Sequence, residues 1–180
     1  MNNLATALEK LGRDTEAEEL YLESIAGWRK ALGDGHPHTL TTMNNLATAL
    51  EKLGRDIEAE ELYLESIAGW MKALGDGHPH TLATINNLAT ALEKLGRDTE
   101  AEKLHLESIA GWKKALVDGH PHTLTSIFGF AITLEKLGRY TEAEELYVES
   151  IAGRRKVLGD GHLDTISVGT EATLYKSSMT

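Results

Sequence analysis

Six histidines fall into three pairs, His36/His38, His78/His80 and His120/His122, each pair flanking a proline. Two imidazoles at that spacing can supply two ligands to a transition metal. The further oxygen donors at hand are Asp34, Asp76 and Asp118, one beside each pair, so no set of three or four ligands closes reliably. A second grouping is the Glu-Ala-Glu-Glu run at Glu16–Glu19, Glu58–Glu61 and Glu142–Glu145. Paired carboxylates do acid–base work only where a pocket drives their pKa values apart. Nothing in the sequence suggests that pocket, and at a helix start such carboxylates simply favour the positive end of the dipole. No cysteine is present, so thiolate ligands, thiol nucleophiles and disulfides are all excluded. No phosphate-binding glycine loop follows a strand, because no strand is predicted. The sequence therefore predicts no catalytic residue, no metal site and no cofactor.

The overall balance points the same way. A net charge of −10 on 180 residues argues against a nucleic acid or an anionic membrane as the main partner. No apolar run approaches the roughly 18 to 20 residues that cross a bilayer, and the N-terminus lacks a basic-then-apolar signal pattern. These features predict a soluble, cytoplasmic protein whose partner is another protein or a peptide.

Recurrence decides how the residues are positioned. NNLATALEKLGRD begins at Asn2, Asn44 and Asn86, and ESIAG begins at Glu23, Glu65, Glu107 and Glu149, a period of 42 in both cases. Between residues 39–80 and 81–122 only seven positions differ, which marks recent duplication. Identity between units is thus no measure of selection at each residue. The predicted repeats are about 1–38, 39–80, 81–122 and 123–164, followed by 165–180, all in one array.

Each unit reads as two helices. Leu40, Met43, Leu46, Ala47, Leu50 and Leu53 recur at spacings of three and four and form one apolar stripe. Gly54 suits the left-handed residue that ends such a helix. Asp56 is placed to cap the next helix, and Thr15/Glu18, Thr99/Glu102 and Thr141/Glu144 have capping-box spacing. The second stripe is Ala59, Leu62, Tyr63, Ser66, Ile67, Trp70 and Leu74. It stops at Gly75 and Gly77, and Pro79 suits the first turn of the following helix. A single hairpin cannot bury both stripes, so the units must stack.

These motifs resemble tetratricopeptide repeats, specifically the 42-residue variety of kinesin light chains and nephrocystin-like proteins. The resemblance rests on Asn45-Leu46-Ala47, on Gly54-Arg55-Asp56-Ile57-Glu58-Ala59-Glu60, and on Leu74-Gly75-Asp76-Gly77-His78-Pro79-His80-Thr81-Leu82. Repeat four keeps the family tyrosine at Tyr140, whereas Asp14, Asp56 and Asp98 replace it elsewhere. The resemblance implies an all-α solenoid, a right-handed superhelix of antiparallel helix hairpins. It also implies a structural, hydrogen-bonding role for His-Pro, and places Ser24, Ser66, Ser108 and Ser150 where the family has a small alanine. Met1 aligns with Met43, so the first helix starts part-way through a unit; this predicts either a fragment of a longer array or an interface at the first repeat. Residues 165–176 align with a first helix whose pattern is degraded at Gly169, Glu171 and Thr173, and are read as a ninth helix covering the last hairpin.

In that family the first helices line a concave groove that holds an extended or helical peptide. The groove residues are those off the apolar stripe: Thr41, Asn44, Asn45, Thr48, Glu51 and Lys52, with Thr84, Asn86, Asn87, Thr90, Glu93 and Lys94 in the next unit, and Asn2 and Asn3 in the first. An asparagine amide both donates and accepts, so a ladder of them can pair with a peptide main chain of any sequence. Asparagines at these positions contact cargo peptides in the kinesin light chains that the chain resembles. The alternative is that one asparagine of each pair only fixes the stacking of hairpins. The Glu/Lys pairs Glu9/Lys10, Glu51/Lys52, Glu93/Lys94 and Glu135/Lys136 read as solvated charges near a helix end; the alternative is that the lysines meet acidic side chains of a ligand and the glutamates exclude others.

Repeat four departs from the pattern. Phe128 and Gly129 replace the asparagine pair, and Arg154 replaces the tryptophan of the other repeats. Phe128 is read as packing on the terminal helix or as an apolar pocket at the groove end. Trp28, Trp70 and Trp112 each follow a glycine, Gly27, Gly69 or Gly111. Glycine within a helix costs about 0.5–1 kcal/mol against alanine, so it needs a reason; close approach of the next repeat's first helix is the expected one, with the tryptophan packed over the gap. Two functions compete on this evidence: a groove that binds a peptide or protein segment, and a spacer that self-associates end to end through the truncated first repeat.

Overall fold

The computed structural model describes residues 2–116, 119–159 and 162. Among them are eight helices: α1 (Asn2–Lys10), α2 (Asp14–Leu32), α3 (Pro37–Lys52), α4 (Asp56–Leu74), α5 (Pro79–Lys94), α6 (Asp98–Ala115), α7 (Pro121–Lys136) and α8 (Tyr140–Leu158). No strand occurs among the described residues, and the architecture is the all-α helix-hairpin repeat that the period predicts. The expected ninth helix, with Asp164 before it, lies outside the described residues.

The histidine pairs start the first helices. His36 Nδ1 accepts the backbone N–H of His38 at 3.2 Å, and His78 and His120 do the same for His80 and His122. Proline follows each as the first helical residue, where no N–H is needed. The other end is closed at glycine. At Gly54, φ is +72°, its N–H donates to Glu51 O at 3.1 Å and that of Arg55 to Leu50 O at 2.9 Å. That pair of bonds satisfies two of the carbonyls a helix end leaves open.

The second helices start differently from expectation. They begin at Asp14, Asp56 and Asp98 themselves, preceded by an arginine, and no side chain caps them. The capping boxes are therefore not formed, because each threonine already lies inside the helix. Arginine takes over the glutamates instead. Arg55 donates to Glu58 at 2.6 Å, one turn on, and to Glu18 of the preceding second helix at 2.7 Å. Arg139 repeats this with Glu142 and Glu102. The hydrogen bond from Arg55 holds the Glu58 carboxyl below the usual carboxylate range.

Contacts divide the chain into two compact units, Met1–Gly96 and Arg97–Thr180. In the first, α2 packs between α1 and α3, α4 packs between α3 and α5, and α3 touches α5. In the second, α7 packs against both α6 and α8. The predicted stripes form the core: Leu40, Met43, Leu46, Ala47, Leu50, Ala59, Tyr63 and Trp70 are all buried. Each large side chain so buried contributes about 1.5–3 kcal/mol. The stripes fray at their ends, where Leu53 and Leu74 are 39% and 41% exposed.

One further expectation is corrected here. The close approach at the mid-helix glycines comes from the same repeat's first helix, not the next one. A Cβ at Gly69 would press into the Leu40 side chain, and one at Gly153 would lie 2.5 Å from Leu124 Cδ2. The tryptophans meet the first turn of the helix that follows: Trp70 stacks on His80 of α5 at 4.6 Å and Trp112 on His122 of α7 at 4.9 Å, and both are buried. Repeat three also breaks its own rule. Gly75, at φ +93°, corresponds to Val117, and a β-branched residue disfavours that backbone region. Accordingly α6 stops at Ala115 and Leu116 turns extended, at φ −128° and ψ 163°, where Leu74 is still helical.

Candidate functional site

The residues singled out in the first unit come together on α1, α3 and α5. Asn44, Asn45, Asn86 and Asn87 are half-buried, Thr41 and Thr48 likewise, while Asn3, Lys52, Thr90 and Lys94 are exposed. Asn2 lies in the first turn of α1. Asn87 Nδ2 donates to Asn44 Oδ1 at 3.4 Å, which ties α5 to α3. Asn86 Oδ1 is buried and has no hydrogen-bond partner among the described residues. Thr48 and Thr90 bond back to the carbonyls of Asn44 and Asn86 at 3.1 and 3.3 Å. Thr84 does not share this surface: it is buried, and its hydroxyl donates to His80 O at 2.8 Å.

The glutamates of this wall are not solvated charges. Glu9 and Glu51 have side chains only 8% exposed, because each is held from two sides. One oxygen of Glu51 accepts the Tyr63 hydroxyl at 2.5 Å and the other takes Lys94 Nζ at 2.7 Å. One oxygen of Glu9 likewise accepts Tyr21 at 2.6 Å and the other Lys52 Nζ at 2.6 Å. Lys52 and Lys94 thus hold the chain's own carboxylates. Burial, reinforced by the bond to Glu9, pushes the Tyr21 phenol up to about 12. Tyr63 is displaced upward in the same way, burial again first and Glu51 second. Thr48 Oγ1 lies 3.0 Å from Tyr63 Oη and completes the network.

A shared geometric rule runs through these contacts. Glu9–Lys52, Glu51–Lys94 and Asn44–Asn87 are each separated by 43 residues, one period plus one. Neighbouring first helices are therefore staggered by one residue.

The second unit carries a different surface at the same positions. Phe128 is half-buried and packs on Tyr147, ring centroids 5.4 Å apart at 59°. Its expected partner, the terminal helix, lies outside the described residues. Gly129, which stands where Asn45 and Asn87 stand, faces the buried ring of His105: a Cβ there would lie 2.7 Å from His105 Cε1. The sequence reading missed this pair, although both members show as mismatches between repeats. Arg154 is buried in the tryptophan position, with Nη2 donating to Thr125 Oγ1 at 3.2 Å and Nε to Ser150 Oγ at 3.4 Å.

Two of the recurring serines are packing residues that also donate. Ser66 Oγ bonds Leu40 O, and Ser150 Oγ bonds Leu124 O, both at 3.0 Å. Among the described residues no group of three or more histidine, aspartate or glutamate side chains is placed to hold a metal ion, and no helix is long and apolar enough to cross a membrane.

A family model, tetratricopeptide repeat, matches residues 1–72, 47–114 and 80–156, and the chain belongs to that family. Its repeats are kinesin light chain-like. The nearly identical TPR-like repeats of a kinesin light chain candidate from Podosopora anserina are 29% identical with a TM-score of 0.79, over 98% of this chain and 87% of that one. A single-substitution variant of those repeats gives a TM-score of 0.80 at 29% identity, over 98% and 86%. BtubC (BKLC) from P. vanneervenii shares the fold, with a TM-score of 0.79 at 19% identity over 88% of this chain and 63% of that one. No curated protein matches in sequence. Tetratricopeptide repeats are, as a class, protein-interaction modules.

Proposed function

We propose that this chain binds a peptide or protein segment along the wall made by its first helices, and that it is not an enzyme. The observation that carries the reading is the Asn86 amide, whose Oδ1 is buried without a hydrogen-bond partner among the described residues, in a half-buried row with Asn44, Asn45, Asn87 and Thr48. Amides and hydroxyls offer donors and acceptors without net charge, which suits a main chain better than any one side chain. The ladder Glu9–Lys52 and Glu51–Lys94 is already neutralised internally, so it selects against strongly charged ligands and aligns the helices beneath. Asn2 and Asn3 belong to α1 of the same unit, Thr41, Lys52 and Lys94 to α3 and α5, and Phe128 takes the corresponding repeat position in the second unit.

The test is capture from a native extract, with the wild-type chain compared against the variant carrying Asn44→Ala, Asn45→Ala, Asn86→Ala and Asn87→Ala. The reading requires partners that the wild type retains and the variant loses while its helical content is unchanged. Partners held equally by both place the contact elsewhere.

A further inference from the structure

One solvent edge of α4 is unlike its counterparts in the other repeats. Ile57, Leu64 and Met71 stand seven residues apart. Seven helical steps return to within about 20° of the same line. The three side chains therefore follow one edge of the helix, about 21 Å long at 1.5 Å per residue. All three are exposed, at 65%, 50% and 46%. Ala68, also exposed, lies between Leu64 and Met71 on the same edge.

The sister repeats show what this edge ordinarily carries. Thr15, Thr99 and Thr141 correspond to Ile57, and Arg29, Lys113 and Arg155 to Met71; all six are exposed. Leu22, Leu106 and Val148 thus stand singly between polar neighbours, where Leu64 stands between apolar ones. The edge faces solvent in all four repeats, and repeat two alone makes it apolar. Of the seven positions that separate residues 39–80 from 81–122, three fall here: Ile57 against Thr99, Glu61 against Lys103 and Met71 against Lys113. Changes at exposed positions alter what the surface meets and scarcely touch the stability of the fold.

Charge runs along one flank of the edge. Glu58, Glu61 and Glu65 follow each other at spacings of three and four, all exposed, and Lys72 ends the row. Arg55 and Arg29 pair with Glu58 and Glu65, while Glu61 stands where repeat three has a lysine. A second copy presenting its own α4 would bring two acidic flanks together, on chains of net charge −10. An amphipathic helix with apolar residues at the same spacing and lysine or arginine beside them complements both the edge and its flank.

We propose that the Ile57–Leu64–Met71 edge of α4 is a docking site for a basic amphipathic helix of a partner protein. The three apolar side chains take that helix's stripe, and Glu61 meets a basic side chain beside it. The site is separate from the asparagine wall, because it lies on a second helix of the repeat and uses no residue of α3 or α5. A single helix edge falls well short of the roughly 800 Å² per partner of a standard interface, so the contact is weak.

Fluorescence-anisotropy titration tests it with a defined probe, a labelled helical peptide of about three heptads with leucine at a and d and lysine beside them. A twin peptide carries glutamate for lysine. The proteins are the wild type, Ile57→Thr with Met71→Gln, Glu61→Lys, and the four-asparagine variant. Threonine already holds the place of Ile57 in three repeats, and the double variant leaves the net charge unchanged. The wild type is expected to bind the lysine peptide one to one and the glutamate peptide not at all. The double variant and Glu61→Lys should each weaken binding by about tenfold or more, and the four-asparagine variant should bind as the wild type does. Equal binding by the double variant would mean that charge alone holds the peptide and would overturn the site, as would no binding to the wild type. Loss of binding in the four-asparagine variant would place the peptide on the wall instead and overturn it too. Sedimentation velocity of the wild type alone should show a monomer; self-association abolished by the double variant would make a second copy the occupant, against the proposal.

Discussion

Leu40 occupies the space that a side chain at position 69 would need: Leu40 Cδ1 lies 3.0 Å and Cγ 3.3 Å from where a Cβ on Gly69 would sit. The hairpin α3–α4 therefore closes helix backbone against leucine. Gly69→Ala is expected to destabilise the fold by about 1–3 kcal/mol, the usual cost of overpacking. At Gly27, where none of the described residues lies within 4 Å of a Cβ, the same change should stabilise by about 0.5–1 kcal/mol through helix propensity alone. Urea unfolding of both variants reads the opposite signs, and shifts of one sign would contradict the packing described.

Glu51 links three elements, accepting Tyr63 of α4 and Lys94 of α5 from its place on α3. Glu51→Gln should lose about 1.5–3 kcal/mol, the range for hydrogen bonds to a charged group. Lys94→Met should cost less than about 1 kcal/mol, since that lysine is 43% exposed. A double-mutant cycle by denaturant unfolding gives the coupling; additive losses would mean that the pair does not act together.

Tyr21 sets an alkaline limit. Its folded pKa, about 12, stands above the free phenol value of about 10. A raised folded pKa means that the stabilisation is complete below pH 10 and is lost as pH climbs from about 10 through about 12. Absorbance titration near 295 nm should show a late-ionising phenol that Tyr21→Phe removes, with a shallower loss of stability across that window. A phenol ionising near the free value of about 10 would contradict the buried bond to Glu9.

Much of this was legible because the period is so regular. A stripe repeated at 42-residue intervals leaves only one way to bury Leu40, Met43 and Trp70, and all three are buried. The details that escaped depend on distances between helices that no single unit encodes. Glu51 looked solvated because its partners, Tyr63 and Lys94, lie 12 and 43 residues away. The 43-residue offset was nevertheless readable in principle as one period plus one. The capping boxes at Thr15, Thr99 and Thr141 misled because Arg13, Arg97 and Arg139 precede the helices and bind the glutamates of the first turn.

His105 and Gly129 should behave as one unit. Gly129→Asn, which restores the residue of the earlier repeats, is expected to destabilise by about 1–3 kcal/mol because His105 Cε1 would lie 2.7 Å from the new Cβ. Adding His105→Ala should recover part of that loss, read as a positive coupling in thermal unfolding. Equal cost with and without the histidine would show that the two do not compete for space.

The central claim, that the asparagine wall of α3 and α5 holds a peptide, is tested most directly by calorimetric titration. A peptide selected by display against the wild-type chain is titrated into the wild type and into the variant with Asn44, Asn45, Asn86 and Asn87 all changed to alanine. Saturable one-to-one binding to the wild type is expected, with an affinity at least about tenfold lower in the variant, a loss of about 1.4 kcal/mol or more, and both proteins equally helical. Undiminished affinity in the folded variant would contradict it.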